Sequence, residues 1–164
     1  MNLKVKNISN IGGVVKAPPS KSYSHRAIIL ASLAKGTSKL YDMLYSEDTL
    51  ASINVCRTLG AQITKKDDCL EVIGTGGKLH NSSENPIDLA NSGTTLRIMT
   101  SVAALSDNEV VFTGDDSLKT RPMGALIDAL EGLGVKIESL NDNNKAPLRI
   151  YPGYIGGETD ILGS

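Results

Sequence analysis

The sequence has no tryptophan, a single phenylalanine and a formal net charge of only −1 over 164 residues. So few aromatic side chains imply a core of Ile, Leu, Val and Ala, with 16 glycines available for tight turns. The near-neutral charge argues against nucleic acid or an anionic membrane as the main partner, because both attract strongly basic proteins. Any anion-binding site must therefore be local.

Cysteines and long apolar runs are also scarce. Cys56 and Cys69 form no CxxC pair and have no histidine at metal-ligand spacing, so we expect free thiols and no metal site. No run approaches the ~20 apolar residues that span a bilayer, and the initial MNLKVKNISN lacks the apolar stretch of a secretion signal. These absences predict a soluble, cytoplasmic protein, and the length of 164 residues is enough for one domain, or for part of a larger one.

A repeat organises what the sequence does contain. Arg26 leads an apolar helical run, and about seventy positions later Arg97 leads a second run of the same kind. LGAQI at 59–63 and LGVKI at 133–137 match at a similar offset. The order helix, strand, helix and hairpin therefore occurs twice, and with a lead-in strand each unit reads βαβαββ. These features predict an α/β (α+β) fold with repeated βαβαββ units.

The element boundaries follow from apolar periodicity and from residues that start or stop helices. Helices are predicted at 22–34, 47–59, 93–105 and 122–133, and strands at 38–44, 61–65, 69–73, 109–113, 135–139 and 148–151. The start signals are Ser20 or Ser22, Ser46 and Pro122, and the stop signals are Gly36, Gly60 and Gly134.

A further similarity indicates that the repeat continues. Three residues near the start of the first unit recur at about twice the repeat length: Gly12, Gly13 and Ser20 match Gly156, Gly157 and Ser164. The chain therefore reads as part of a longer repeat protein whose third unit begins near residue 164.

The stretch KAPPSKSYSHRA is an unusually polar helix start. Lys21 and Ser22 bring an ammonium, a hydroxyl and free backbone N–H groups to a helix N-terminus, which favours anions. Arg26 lies one turn after Ser22, so its guanidinium can face the same carboxylate or phosphate. The alternative is a solvated, capped terminus with both cations exposed. His25 is more simply a packed histidine than a catalytic one.

The second unit has a polar helix start in the equivalent place, ANSGTTLR. Asn91, Gly93 and Thr94 precede Arg97, and the glycine would let a ligand approach the backbone. The same residues also make an ordinary helix cap, and the sequence does not separate the two interpretations.

A third basic helix start follows in GDDSLKTRPMG. Lys119 and Arg121 precede the predicted helix at Pro122, whereas Asp48, at the corresponding start in the first unit, is most simply a helix-start carboxylate. Arg121 is either an anion-binding group or a salt-bridge partner. Three basic helix starts on a neutral chain favour a small, multiply anionic ligand. No Walker pattern or GxGxxG supports a nucleotide loop.

SKSYSHR, NSGTTLR and KTRPMGALIDAL, in this order, resemble the N-terminal portion of the 5-enolpyruvylshikimate-3-phosphate synthase family, over essentially the whole chain. The resemblance implies a cytoplasmic enzyme that transfers the enolpyruvyl group of phosphoenolpyruvate to the 5-hydroxyl of shikimate 3-phosphate and releases phosphate. It implies no cofactor. The enolpyruvyl transferase fold of this family has two domains of three βαβαββ units each, with the active site in the cleft between them.

The resemblance also implies a division of the chain. Residues 1–19 would be a strand region of the other domain, 20–86 the first unit, 87–152 the second, and 153–164 the start of a truncated third unit. The second domain would be missing in cis, together with the acid and base of the reaction. We therefore expect the chain to be inactive alone.

The site residues implied by the resemblance are substrate-binding and include no metal ligand. Lys21 would meet both substrates. Ser22 and Arg26 would hold shikimate 3-phosphate, while Gly93 and Arg121 would hold phosphoenolpyruvate, with Asn91 and Thr94 lining the same loop.

Two other functions remain open. The sister enzymes that act on UDP-N-acetylglucosamine share the fold and chemistry, but they typically have a cysteine where this chain has Asp116, and they lack SKSxSHR. The other alternative is a non-catalytic anion-binding module.

Overall fold

The computed structural model describes residues 3–4, 6–7, 10 and 12–161. The helices are α1 (Lys21–Leu33), α2 (Glu47–Thr58), α3 (Gly93–Ala103) and α4 (Gly124–Gly132), with a 3-10 turn at Leu118–Thr120. The strands are β1 (Lys35–Tyr41), β2 (Gln62–Lys65), β3 (Cys69–Thr75), β4 (Ile87–Asp88), β5 (Val110–Thr113), β6 (Ile137–Ser139) and β7 (Leu148–Ile150). The similarity that involves Ser164 lies outside the described residues.

Each repeat forms its own sheet, and the two sheets share one topology. The first has the order β1-β3-β2 and the second β4-β5-β7-β6. In both, the second strand of the hairpin pairs antiparallel with the strand between the helices, so Leu40 faces Leu70 and Phe112 faces Leu148. The mixed α/β class and the repeated arrangement of hairpin and helices are therefore confirmed.

The lead-in strand distinguishes the two units. β4 pairs in parallel with β5, which makes the βαβαββ pattern of the second unit complete. Residues 12–19 form no strand, and Val14 and Val15 are almost wholly exposed. The expected strand before α1 is thus not formed in that segment, because its backbone groups have no neighbouring strand to pair with.

One apolar core runs through both units. It includes Ile28 of α1, Leu59 after α2, Leu96 of α3 and Phe112 of β5, all nearly or fully buried. Helices α1 and α2 pack on each other, and α2 also contacts α3 across the boundary between units. The starts of these helices are therefore held together by apolar burial, the main favourable term in folding.

Several of the predicted helix ends are confirmed. The Ser20 side chain caps α1 by accepting from the Tyr23 N–H. Ser46 caps α2 and forms a reciprocal capping box with Thr49. Gly60 and Gly134 follow α2 and α4 with φ angles of 106° and 88°, a conformation that glycine adopts without a Cβ penalty.

The prediction that Gly36 ends the first helix is wrong. Helix α1 ends at Leu33, and Gly36 is already in β1, opposite Gly74 of β3. A Cβ at Gly74 would collide with the backbone oxygens of Ala31 and Ala34. Gly74 allows this close approach, and Gly36 adopts a φ of 97° that glycine tolerates. Pairing with β3 therefore begins immediately after the helix, and β1 starts at Lys35 rather than at residue 38.

The prediction that Pro122 opens the fourth helix is also wrong. Arg121 is extended, as the residue before a proline generally is, and α4 begins at Gly124. The Met123 N–H donates to the Asn144 carbonyl, 3.0 Å away, instead of entering a helical turn. The segment before α4 therefore remains a loop, and Arg121 belongs to that loop.

Three further expectations concern disulfides, membrane spans and metal sites. Both cysteines are free and buried, and burial raises the pKa of the Cys56 thiol to about 11. Among the residues described, no helix combines the length and apolar character needed to cross a membrane. Within the same part of the chain, no three His, Cys, Asp or Glu side chains are grouped so that they could hold a metal ion.

The contact of Gly74 with the end of α1 yields a first prediction. Gly74→Ala should lower the free energy of unfolding by about 1–3 kcal/mol, because backbone must move to admit the methyl group. Urea unfolding measures the change. Thr64→Ala on the exposed face of β2 is the control and should change stability by less than about 0.5 kcal/mol. Equal effects of the two variants would contradict the proposed packing.

Candidate active-site cleft

The starts of three helices and the loop before α4 meet at one open cleft of about 360 Å³. We call it the interunit cleft because both repeats contribute to it. Its lining residues are Lys21, Glu47, Asp48, Asn91, Gly93, Thr94 and Arg121.

The first unit contributes an ion pair to the cleft. Lys21 is the first residue of α1, and its Nζ lies 2.7 Å from Oδ2 of Asp48 in the first turn of α2. The carboxylate is favoured there by the positive end of the helix dipole. An ammonium has three N–H donors, so the pair fixes Lys21 at the cleft and leaves donors for a ligand. Asp48, predicted as a helix-start carboxylate, thus also orients the lysine.

The second unit contributes an arginine held over a glycine. The Arg121 guanidinium donates to Oδ1 of Asn91 and lies over Gly93, the first residue of α3. A Cβ at Gly93 would collide with Nη1 of Arg121. The glycine is therefore required for this position of the guanidinium. The guanidinium thus lies at the start of α3, where the helix dipole is positive.

Arg97 ties this loop to α3. Its guanidinium is within 3.4 Å of the Gly93 carbonyl and 3.3 Å of the Pro122 carbonyl. These long hydrogen bonds link the first turn of α3 to the segment that carries Arg121. Arg97 is therefore part of the support of the cleft and not of its lining.

The charges of the cleft balance formally. Lys21 and Arg121 are offset by Glu47 and Asp48, which the sequence indicated only as the start of α2. Lys21 and Asp48 neutralise each other, whereas the Arg121 guanidinium is bonded, within the described part of the chain, only to the neutral amide of Asn91. The second-unit side therefore attracts anions more strongly, through Arg121 and the N-terminus of α3. The cleft can thus orient an anion toward the second unit and offer it an ammonium from the first.

The structure brings five of the seven predicted site residues together. Lys21, Asn91, Gly93, Thr94 and Arg121 all line the cleft. Ser22 and Arg26 do not, and both are exposed on α1. The Arg26 guanidinium carbon lies 6.0 Å from the centre of the Tyr23 ring. A role for these two residues requires a ligand that extends from the cleft along α1, and it stays a prediction.

A family model described as EPSP synthase (3-phosphoshikimate 1-carboxyvinyltransferase) matches residues 5–163. The chain belongs to the EPSP synthase family. A Methanobrevibacter smithii relative named 3-phosphoshikimate 1-carboxyvinyltransferase is 74% identical over 100% of this chain and 37% of its own length. A relative of the same name from Methanosphaera stadtmanae is 52% identical over 99% of this chain and 38% of its own length.

The solved structures agree with this assignment. EPSP synthase from Acinetobacter baumannii matches with a TM-score of 0.79 and 30% sequence identity, over 87% of this chain and 32% of that one. The chain spans somewhat more than a third of the length of the curated relatives it matches.

A layer of buried polar side chains lies beneath the cleft of this EPSP synthase family member. His25 is fully buried, as expected of a packed histidine, and its Nδ1 lies 2.7 Å from Oγ of Ser52. Oγ of Ser52 in turn lies 2.7 Å from Oγ1 of Thr95, and that oxygen lies 2.6 Å from Oγ of Ser92. The contacts of Ser52 with His25 and Thr95 could not be predicted from the sequence, because they join residues 27 and 43 positions apart and no local motif marks such pairs.

Burial also sets the charge state of His25. Loss of solvation lowers its pKa below the usual 6.5, and nearby Lys21 lowers it further, against the opposing effect of Asp48. The imidazole is therefore neutral at neutral pH and can take part in the hydrogen-bonded layer without a buried charge.

This shift gives a prediction for stability against pH. Between the lowered pKa and the usual 6.5, the unfolded chain binds a proton that the folded chain does not. The contribution of His25 to stability is thus present above about pH 6.5 and lost as the pH falls below it. His25→Asn, which cannot titrate, should lose less unfolding free energy between about pH 7 and about pH 5. Parallel profiles from urea unfolding would contradict the shift.

Proposed function

We propose that this chain provides one side of the active site of an enzyme that transfers the enolpyruvyl group of phosphoenolpyruvate to the 5-hydroxyl of shikimate 3-phosphate, releasing phosphate. The observation that carries the proposal is the interunit cleft, in which Arg121 over Gly93 and Lys21 beside Asp48 are held around one open space. The relatives' name, 3-phosphoshikimate 1-carboxyvinyltransferase, supports the same chemistry.

The residue types suit substrates of this kind. Each substrate bears a phosphate and a carboxylate, so the two repel each other when they approach. Fixed cations lower the cost of this encounter because they are already oriented before the substrates bind. Lys21 and Arg121 come from different repeats, so an anion that binds both spans the cleft.

We assign phosphoenolpyruvate to the second-unit side of the cleft. Arg121 can form paired bonds to a carboxylate or phosphate, and it lies over Gly93 at the start of α3, where the helix dipole also favours an anion. Asn91 holds the guanidinium, and Thr94 adds a hydroxyl to the same wall. Lys21 would contact both substrates from the opposite wall.

We assign shikimate 3-phosphate to the first-unit side, at the start of α1. Lys21, Ser22 and Arg26 lie within the first two turns of that helix, and all three are exposed. A substrate larger than phosphoenolpyruvate would extend from the cleft along this surface. This arrangement would bring its hydroxyl toward the enolpyruvyl group.

The rest of the reaction requires groups from outside this chain. We expect the acid, the base and further cations to come from a second domain in cis, across the cleft. On this proposal the enzyme works in the cytoplasm without a cofactor, and the 164 residues are inactive alone.

A chimera tests the proposal. These 164 residues are followed by the part of the Methanobrevibacter smithii relative that the match does not cover, which the 74% identity makes feasible. Phosphate release from the two substrates should require the extension. Arg121→Ala should lower kcat/KM about 10²-fold to 10³-fold, as removal of one charge-stabilising donor generally does.

The control is Lys35→Ala, which removes an exposed lysine of β1 away from the cleft. It should retain the activity of the unmodified chimera. Turnover by the 164 residues alone would contradict the need for a second domain, and an unchanged kcat/KM for Arg121→Ala would contradict the assigned site.

A further inference from the structure

The buried layer beneath the interunit cleft connects three helices through hydrogen bonds. The links run from His25 of α1 to Ser52 of α2, from Ser52 to Thr95 of α3, and from Thr95 to Ser92, the N-cap of α3. Their lengths are 2.7, 2.7 and 2.6 Å. All four residues are at most 1% exposed. They form a continuous polar contact between the two repeats.

Each member of this layer lies next to a residue that lines the cleft. His25 is one helical turn after Lys21, and Ser52 is one turn after Asp48, so each shares a helix face with its neighbour above. Ser92 and Thr95 flank Gly93 and Thr94 in sequence. The layer therefore connects the supports of both walls.

Thr95 is the central member. Its Oγ1 contacts the hydroxyls of Ser52 and Ser92, and it also lies 3.5 Å from the Asp48 carbonyl oxygen. A hydroxyl has one proton and two lone pairs, so Thr95 can donate once and accept from another partner. Valine has nearly the same shape but can do neither. Thr95→Val would interrupt the layer at its centre and leave the packing volume almost unchanged.

Loss of these bonds should affect geometry as well as stability. The three hydroxyls of the layer are all hydrogen-bonded, although Nε2 of His25 has no partner among the described residues. A hydrogen-bonded buried layer favours one relative position of the elements it joins, whereas apolar contacts of equal volume tolerate small shifts. The cap of α3 would persist, because the Thr95 backbone N–H also donates to Ser92 Oγ, and the substitution leaves that bond in place.

We propose that Thr95 is a positioning residue for the interunit cleft: through Ser52 and Ser92 it fixes the start of α3 against α1 and α2, and so sets the distance between Lys21 and Arg121. The proposal rests on the function proposed above. Thr95 does not line the cleft, so its effect on substrate passes through the residues that do.

The test compares two buried threonines of α3 in the chimera. Thr95→Val should raise KM for phosphoenolpyruvate about 10-fold, less than the 10²-fold that full misplacement can cost, with a smaller change in kcat. Thr100→Val is the matched control: Thr100 is also fully buried, but its hydroxyl bonds within α3, 2.7 Å from the Leu96 carbonyl. It should leave KM unchanged. Thr95→Ser should restore the wild-type KM.

A second measurement separates this inference from the proposed function. Amide chemical shifts of Lys21 and Arg121, neither of which is hydrogen-bonded to Thr95, should change in the Thr95→Val chimera and remain unchanged in Thr100→Val. An inactive unmodified chimera would refute the proposed function, while these shifts would still decide the positioning role. Shifts confined to the neighbours of Thr95, or a KM that Thr100→Val raises as much as Thr95→Val, would overturn the inference.

Discussion

Helices α1, α2 and α3 begin at one place, and burial of the inner face of their first two turns is the constraint on which the site depends. Apolar burial draws the helices together, and the hydroxyls of Thr49, Ser52 and Thr95 are fully buried among their starts. Buried hydroxyls are costly unless they are paired. The need to pair these hydroxyls therefore limits how the helix starts can be arranged. The positions of the cleft residues follow from that arrangement, because most of them lie on the same helix starts.

Glycines make the close approaches that this arrangement needs. Gly74 admits the end of α1 to β3, which sets where β1 begins. Gly93 admits the Arg121 guanidinium to the start of α3. Neither residue has a positive φ, so their importance lies in the missing side chain and not in backbone freedom. The absence of a side chain at Gly93 thus makes room for the Arg121 guanidinium at the cleft where the two repeats meet.

Local signals were enough to predict much of the fold. Ser46 and Gly60 act within one or two turns of their own helix, and the hairpins are marked by polar turns between short apolar runs, so both were found from sequence. Gly36 and Pro122 carry equally strong local signals, but strand pairing with Gly74 and the bond from Met123 to Asn144 prevailed over them. Propensity is a weak guide where tertiary contacts compete.

The site could be predicted in part for the same reason. Lys21, Gly93 and Arg121 stand beside helix starts, where side-chain type alone indicates anion binding. The contacts of Asn91 with Arg121 and of Ser52 with Thr95 join residues far apart in sequence, and no spacing rule reaches them. The acidic side of the cleft could not be predicted either, because acidic residues such as Glu47 and Asp48 are common in the first turn of any helix.

If the two repeats form one anion site, a single ligand should be felt on both sides of the interunit cleft. A residue-resolved NMR titration of the chain with phosphoenolpyruvate measures this. We expect the signals of Lys21 in the first unit and of Gly93 and Arg121 in the second to change together, with one common Kd. Changes confined to one unit, or different Kd values for the two, would contradict it.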